Sequence, residues 1–298
     1  MKLFAPKYYE KFKCIADKCT HSCCIGWEIG VDKNALELYR SLEGDYKDKI
    51  INSIDFSHTP HFILGENERC PHLDERGLCR IITNYGSESL CEICREHPRF
   101  YNDTPRGKEV GLGMACEEAC RIILNSNDYD TFVQLENDNE ELDIFEFDPT
   151  AERAKIYAVL KDCSLTLEDK LKKIYFEYRV SPFMLVDNKW QEIIGGLEYL
   201  DQIHKELFLS YSSYATITKE AEPYLERALA YFIYRHCSEA YDYEDFCARL
   251  GFCLFCERLL CSIINSSNEE IVTLARIVSE EIEYSTDNTE QITEEFLF

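Results

Sequence analysis

Cys14-x4-Cys19-x3-Cys23-Cys24-Ile25-Gly26-Trp27 opens the stretch that decides how this chain folds. Three further groups follow. They are Cys70-Pro71-His72-Leu73 with Gly77-Leu78-Cys79-Arg80, then Leu90-Cys91-x2-Cys94-x2-His97-Pro98-Arg99, then Cys116-Glu117-Glu118-Ala119-Cys120. Two sulfurs separated by two to four residues face the same ion when a tight turn brings both side chains inward, so zinc sites and iron–sulfur clusters share such spacings. Pairs from distant segments converge to complete a four-ligand site. The adjacent Cys23 and Cys24 argue against plain disulfide pairing, because neighbouring side chains project differently and a bond between them is strained.

Ten of the sixteen cysteines lie between Cys14 and Cys120, and none falls between Cys120 and Cys163. The first residues, Met1-Lys2-Leu3-Phe4-Ala5-Pro6-Lys7, turn charged at once and lack the apolar core of a signal peptide. No run approaches the eighteen or so apolar residues of a membrane span. These features set the expectation of a cytoplasmic, reducing location, where clustered cysteines bind metal more often than they form disulfides. The candidate ligands are Cys14, Cys19, Cys23, Cys24, Cys70, Cys79, Cys91, Cys94 and Cys116. Thiolate ligation suits zinc and iron–sulfur clusters alike, and nine cysteines leave one or two sites open. Among the nearby histidines, His21, His58, His61, His72 and His97, a single ring is more often a loop residue than a ligand; His97 has the best spacing.

The formal net charge is −24, which disfavours a sequence-general nucleic-acid binder. Residues 1–124 carry 17 Lys+Arg against 20 Asp+Glu, whereas the remainder carries 15 against 36, so the acidity belongs to the C-terminal part. Such a field attracts a lysine-bearing protein partner, and it also simply keeps a protein soluble. From Asn125 to Thr150 there are nine acids and no Lys or Arg, read as an exposed connector with one extended piece at Phe145-Glu146-Phe147. After residue 150 the apolar spacing is helical. Trp190, Ile193, Ile194, Leu197, Leu200, Ile203 and Leu207 mark one buried face, and Tyr224, Leu225, Ala228, Leu229, Phe232 and Ile233 mark another. Thr166 reads as a helix start, as does Ser267-Asn268-Glu269-Glu270 before Ile271, Leu274, Ala275, Val278 and Ile282. Phe246 to Ile264, apolar almost all round, reads as a central helix whose Cys247, Cys253, Cys256 and Cys261, with Cys237 before it, are core residues. The expected fold is mainly α. A cysteine-rich metal-binding domain at 1–124 leads through a connector at 125–150 to an acidic helical bundle at 151–298.

The cysteine groups, with Phe12, Asp32, Tyr85-Gly86 and the turns around them, resemble the flagellin lysine-N-methylase family over residues 8–124. They are more distantly similar to small zinc- or iron-chelating domains. Further on, Glu280-Glu281-Ile282-Glu283-Tyr284-Ser285-x2-Asn288 is similar to a family segment that carries Arg at position 280 and His at 284. The resemblance implies methyl transfer from S-adenosylmethionine to lysine side chains of flagellin by a cytoplasmic protein holding a cysteine-ligated iron–sulfur cluster of the 4Fe–4S type. The alternative is a non-enzymatic zinc- or iron-binding adaptor or sensor whose acidic helices hold a partner. Lysine methylation needs a deprotonated, aligned amine and a cradled sulfonium. Trp27, Tyr8, Tyr9, Asp32, Glu117 and Glu118 offer aromatic faces and carboxylates near the cysteines, with no catalytic residue assigned. The glycine-rich turn of a Rossmann-type methyltransferase is missing; Gly111-Leu112-Gly113 is the nearest string.

Overall fold

A computed structural model describes residues 2–137, 146–210, 216–267 and 269–297. In chain order, the first elements are β1 (Lys2–Pro6), α1 (Lys33–Ser41), α2 (Lys47–Asn52), β2 (Ile54–Asp55), β3 (His61–Phe62), α3 (Arg80–Tyr85) and α4 (Glu92–Glu96). Next come β4 (Arg99–Thr104), β5 (Gly107–Leu112), α5 (Glu117–Leu124), β6 (Phe132–Asn137), α6 (Pro149–Leu160) and α7 (Leu167–Glu177). The chain continues through α8 (Asn188–Gly196), α9 (Gln202–Leu209), α10 (Glu222–His236), α11 (Tyr243–Ser266), α12 (Ile271–Val278) and α13 (Thr286–Glu294). Among the described residues the fold is mainly α, and no helix is long and apolar enough to cross a membrane.

The chain divides into two compact units, Lys13–Arg99 and Met1–Phe12 with Phe100–Phe298. Composition alone groups residues 1–124 together; by packing, residues 1–12 and 100–124 belong to the larger unit.

The smaller unit is built from short pieces. Its helices run from five to nine residues, its only described strand pair joins Ile54–Asp55 to His61–Phe62, and isolated bridges tie Ile25 to Arg69, Gly30 to His61 and Leu73 to Cys79. Asp32 starts α1 by accepting from the Ala35 N–H (2.9 Å), and its other oxygen accepts from the Glu92 N–H (2.7 Å) at the start of α4. The core is small: Ile29, Val31, Ala35, Tyr39, Ile50, Ile54, Phe62 and Ile81, together with Cys70 and Cys91. A core of that size in a loop-rich unit is where chains add a staple, such as a disulfide or a metal.

The larger unit carries a four-stranded sheet in the order β4-β5-β1-β6, with β1 parallel to β5 and antiparallel to β6. The segment expected to be an exposed connector therefore supplies an edge strand. Alternating Phe132-Val133-Gln134-Leu135 pairs with Phe4-Ala5-Pro6 (Phe4 opposite Gln134, Pro6 opposite Phe132) despite the acids that follow. Of the expected extended piece at 145–147, Phe145 lies outside the described residues.

Behind the sheet, α10 packs on α11, and α12 packs on both α11 and α5. α11 is the central helix the sequence indicates: Phe246, Leu250, Phe252, Leu254, Phe255, Leu259 and Leu260 are all buried. Thr166 caps α7 through Asp169 N–H, as read from sequence. Two readings change. The single face drawn from Trp190 to Leu207 is two helices, because Leu197 turns to extended φ/ψ; Leu200 and Ile203 are consequently exposed (60% and 69%). The helix expected after Ser267 starts only at Ile271, with Glu270 as its cap position. Ser267 Oγ instead accepts from Glu269 N–H, while Asn268 lies outside the described residues.

Candidate metal centre

Five of the nine candidate cysteines come together in the smaller unit. Cys70 and Cys91 are buried in its core, and Cys24, Cys79 and Cys94 pack against that core, so three of the four sequence groups meet there. Local structure explains why. The Cys70 N–H donates to Cys24 O (2.9 Å), and the bridge between Leu73 and Cys79 closes the Asp74–Leu78 turn, whose Asp74 accepts from Arg76 and Leu78 N–H. Cys79 and Cys91 each stand at the N-cap position of a short helix, α3 and α4, and Cys94 is one turn into α4.

The electrostatics couple these sulfurs. A hydrogen bond from Cys23 brings the Cys24 thiol down to about 7 against the opposing effect of burial, with help from Ser22 and Arg69. Burial pushes Cys70 up to about 12 and also raises Cys79. Cys94 shares its proton with Cys91. That hydrogen bond lowers Cys91 and raises Cys94, and burial adds to the rise. The buried Tyr39 hydroxyl, with no well-aligned partner, borders Cys91 and Cys94, and burial followed by those two sulfurs raises its pKa.

The other four candidates are not among the residues of that core. Cys14 is exposed, Cys19 donates its thiol to His21 O (3.0 Å), and Cys23 is exposed next to Cys24. Cys116, half-buried, is the N-cap residue of α5 in the larger unit. His72 is no ligand candidate. It is buried, both ring nitrogens are engaged at 3.0 Å by Tyr46 Oη and Ser53 Oγ, and burial lowers its pKa to about 4. Asp32 spends both oxygens on helix starts, Glu118 pairs with Arg121, and Trp27 is half-buried rather than central. The C-terminal cysteines are core residues as expected: Cys237, Cys247, Cys253, Cys256 and Cys261 are all buried, with Cys237 and Cys253 sulfurs 3.8 Å apart.

The spacing of the clustered sulfurs bears on what they fit. Four thiolates on one tetrahedral zinc, with bonds of about 2.3 Å, stand about 3.8 Å apart. Among the described residues no three cysteine sulfurs lie within 4.8 Å of one another. A cluster in which each thiolate binds a different iron needs a wider set. The thiol donors and their apolar surround suit a thiophilic metal centre.

The larger unit holds a buried polar network that the sequence reading does not reach. Ser279–Glu283 forms a π-turn after α12. From it Glu283 accepts from Tyr231 and Ser279 hydroxyls, from Arg235 Nη1 (3.3 Å) and from His236 Nε2 (3.0 Å). Burial pushes Glu283 up, but Arg235 and His236 outweigh it and hold its carboxyl below the usual range. The Arg235 guanidinium lies between the Phe100 and Tyr284 rings, 4.9 and 4.3 Å from their centroids. This packing also explains Gly111 and Gly113. A Cβ on Gly111 would strike Phe100 and Tyr234, and one on Gly113 would strike the Tyr284 hydroxyl at 1.9 Å. These glycines admit aromatic side chains; they do not form a phosphate cradle.

Fold and site together define a mainly helical protein with a group of free cysteines packed in a small loop-rich unit. The chain is 29% identical over 136 residues to proteins named lysine-N-methylase from Salmonella typhimurium and Salmonella choleraesuis, covering 41% of this chain and 32% of each relative. The flagellar biosynthetic protein FliU of Salmonella muenchen is likewise 29% identical over 136 residues, 77% of its length. These likenesses support a flagellin lysine-N-methylase family relationship. The match spans about a third of the length of the two lysine-N-methylases. No protein-family model matches the chain, and no solved structure matches it.

Proposed function

We propose that this protein transfers methyl groups from S-adenosylmethionine to lysine side chains of flagellin in the cytoplasm, and that activity depends on a 4Fe–4S cluster held by the cysteine centre. One observation carries the methylation reading: the relatives it resembles are named lysine-N-methylase. Cys24, Cys70, Cys79, Cys91 and Cys94 supply more thiols than four irons require. These residues would hold the cluster, whose iron–thiolate bonds would tie three chain segments together. The acidic surface, net −24, favours encounter with a lysine-bearing protein. Aromatic side chains fill the space at Gly111 and Gly113, which argues against that string as a nucleotide cradle.

The test is methyl transfer from labelled S-adenosylmethionine to purified flagellin, using protein prepared without oxygen, with target lysines read by mass spectrometry. Label on flagellin lysines that disappears on iron removal is the expected result. Iron-loaded protein that neither binds the donor nor labels flagellin would refute the proposal.

A further inference from the structure

Glu280, Glu281 and Glu283 are all buried within five residues, an expensive arrangement unless each carboxylate is matched. Glu283 has Arg235 and His236. Glu280 accepts from Arg276, one turn earlier on α12. Glu281 meets no guanidinium or ammonium in the described contacts. It accepts from Leu200 N–H (2.7 Å) and Asp201 N–H (3.2 Å) ahead of α9, and from His204 Nδ1 at 2.6 Å. The Glu281 carboxylate thus rests on two backbone amides and one imidazole.

The π-turn makes the arrangement possible. Its extra residue per turn brings the consecutive Glu280 and Glu281 toward one place. Ligand atoms of His204, Glu280 and Glu281 all lie within 4.8 Å of one another, the only such set of three among the described residues. Both carboxylates are fixed from behind, by Arg276 and by two backbone amides, as outer partners orient ligands in built metal sites. The His204 side chain is 18% exposed, so the set is reachable from solvent on that side.

We propose that His204, Glu280 and Glu281 bind one divalent cation, independently of the cysteine centre. One imidazole and two carboxylates suit manganese, iron(II), cobalt or zinc rather than a thiophilic ion. Bonds of about 2.1 Å place opposed donors about 4.2 Å apart, so small side-chain shifts close the set around an ion. The cation places a positive charge beside Glu281 and joins α9 to the π-turn.

Manganese is the probe, because hard Mn2+ discriminates against thiolates. Electron paramagnetic resonance of the whole chain titrated with Mn2+ should show about one tightly bound ion. His204→Ala should weaken binding at least about tenfold, and Cys91→Ser should leave it unchanged. Since Glu280→Gln or Glu281→Gln could disturb folding, imidazole NMR signals of the wild type give a second reading. Submillimolar Mn2+ should broaden the one signal absent from His204→Ala. Binding that His204→Ala leaves intact, or an unbroadened His204 signal, would overturn the proposal. In that case His204 serves only as a hydrogen-bond partner of Glu281.

Discussion

Asp32 offers the sharpest test of how the small unit holds its cysteines in place. Its carboxylate starts α1 through Ala35 N–H and holds the Glu92 N–H directly after Cys91. Replacing it by alanine removes a helix cap, about 1 kcal/mol. It also removes a charge-assisted hydrogen bond at an exposed amide that water then solvates, about 1 kcal/mol more. For a unit this size, with a urea slope near 1 kcal/mol per molar, the combined loss of about 2 kcal/mol lowers the unfolding midpoint by about 2 M. Asp32→Asn keeps an acceptor for Ala35 and should lose about half as much. The assay is urea unfolding of the full chain, with hydrogen exchange at the Ala35 and Glu92 amides reporting the two contacts separately. If both variants unfold with the wild type and both amides keep their protection, the carboxylate does not join the two helices as argued.

Other outcomes follow from the larger unit and the thiols. Glu109→Gln leaves the fully buried Arg153 guanidinium without its countercharge and with one acceptor in place of two 2.7 Å carboxylate contacts, so thermal unfolding should show a loss of about 3 kcal/mol. Gly113→Ala forces the Tyr284 hydroxyl away, a loss of about 1–3 kcal/mol by the same measurement. Burial, offset only in part by Glu283, holds His236 below its usual 6.5. The unfolded chain thus binds the extra proton first, and stability present above pH 6.5 declines as the pH falls below it; urea midpoints at pH 7.5 and 5.5 should differ in that direction, and less so in His236→Gln. Cys253→Ala, in the helical core, should leave iron content untouched, whereas Cys94→Ser should lower it.

Much of this architecture is legible in the chain, for identifiable reasons. The apolar α11 and the Thr166 cap declare themselves locally, because a helix start and an all-round apolar run are short-range signals. Strand β6 does not, since its pairing with β1 joins residues far apart in sequence and the acids around it read as a connector. The break at Leu197 is equally hidden: the apolar spacing continues through it while the backbone leaves the helix. Of the site, the cysteine groups are plain, but which sulfurs meet depends on turns such as Asp74–Leu78 that spacing cannot order. The network around Glu283 is invisible for a related reason. A charged residue in a helical pattern is normally solvated, and only the π-turn and the helices around it bury this one.

Iron and acid-labile sulfide, measured per chain on protein purified without oxygen, test the central claim most directly. The account predicts about four of each in the wild type, and their loss in Cys91→Ser and Cys94→Ser. Zinc without sulfide, or an iron content that those substitutions leave unchanged, would contradict it.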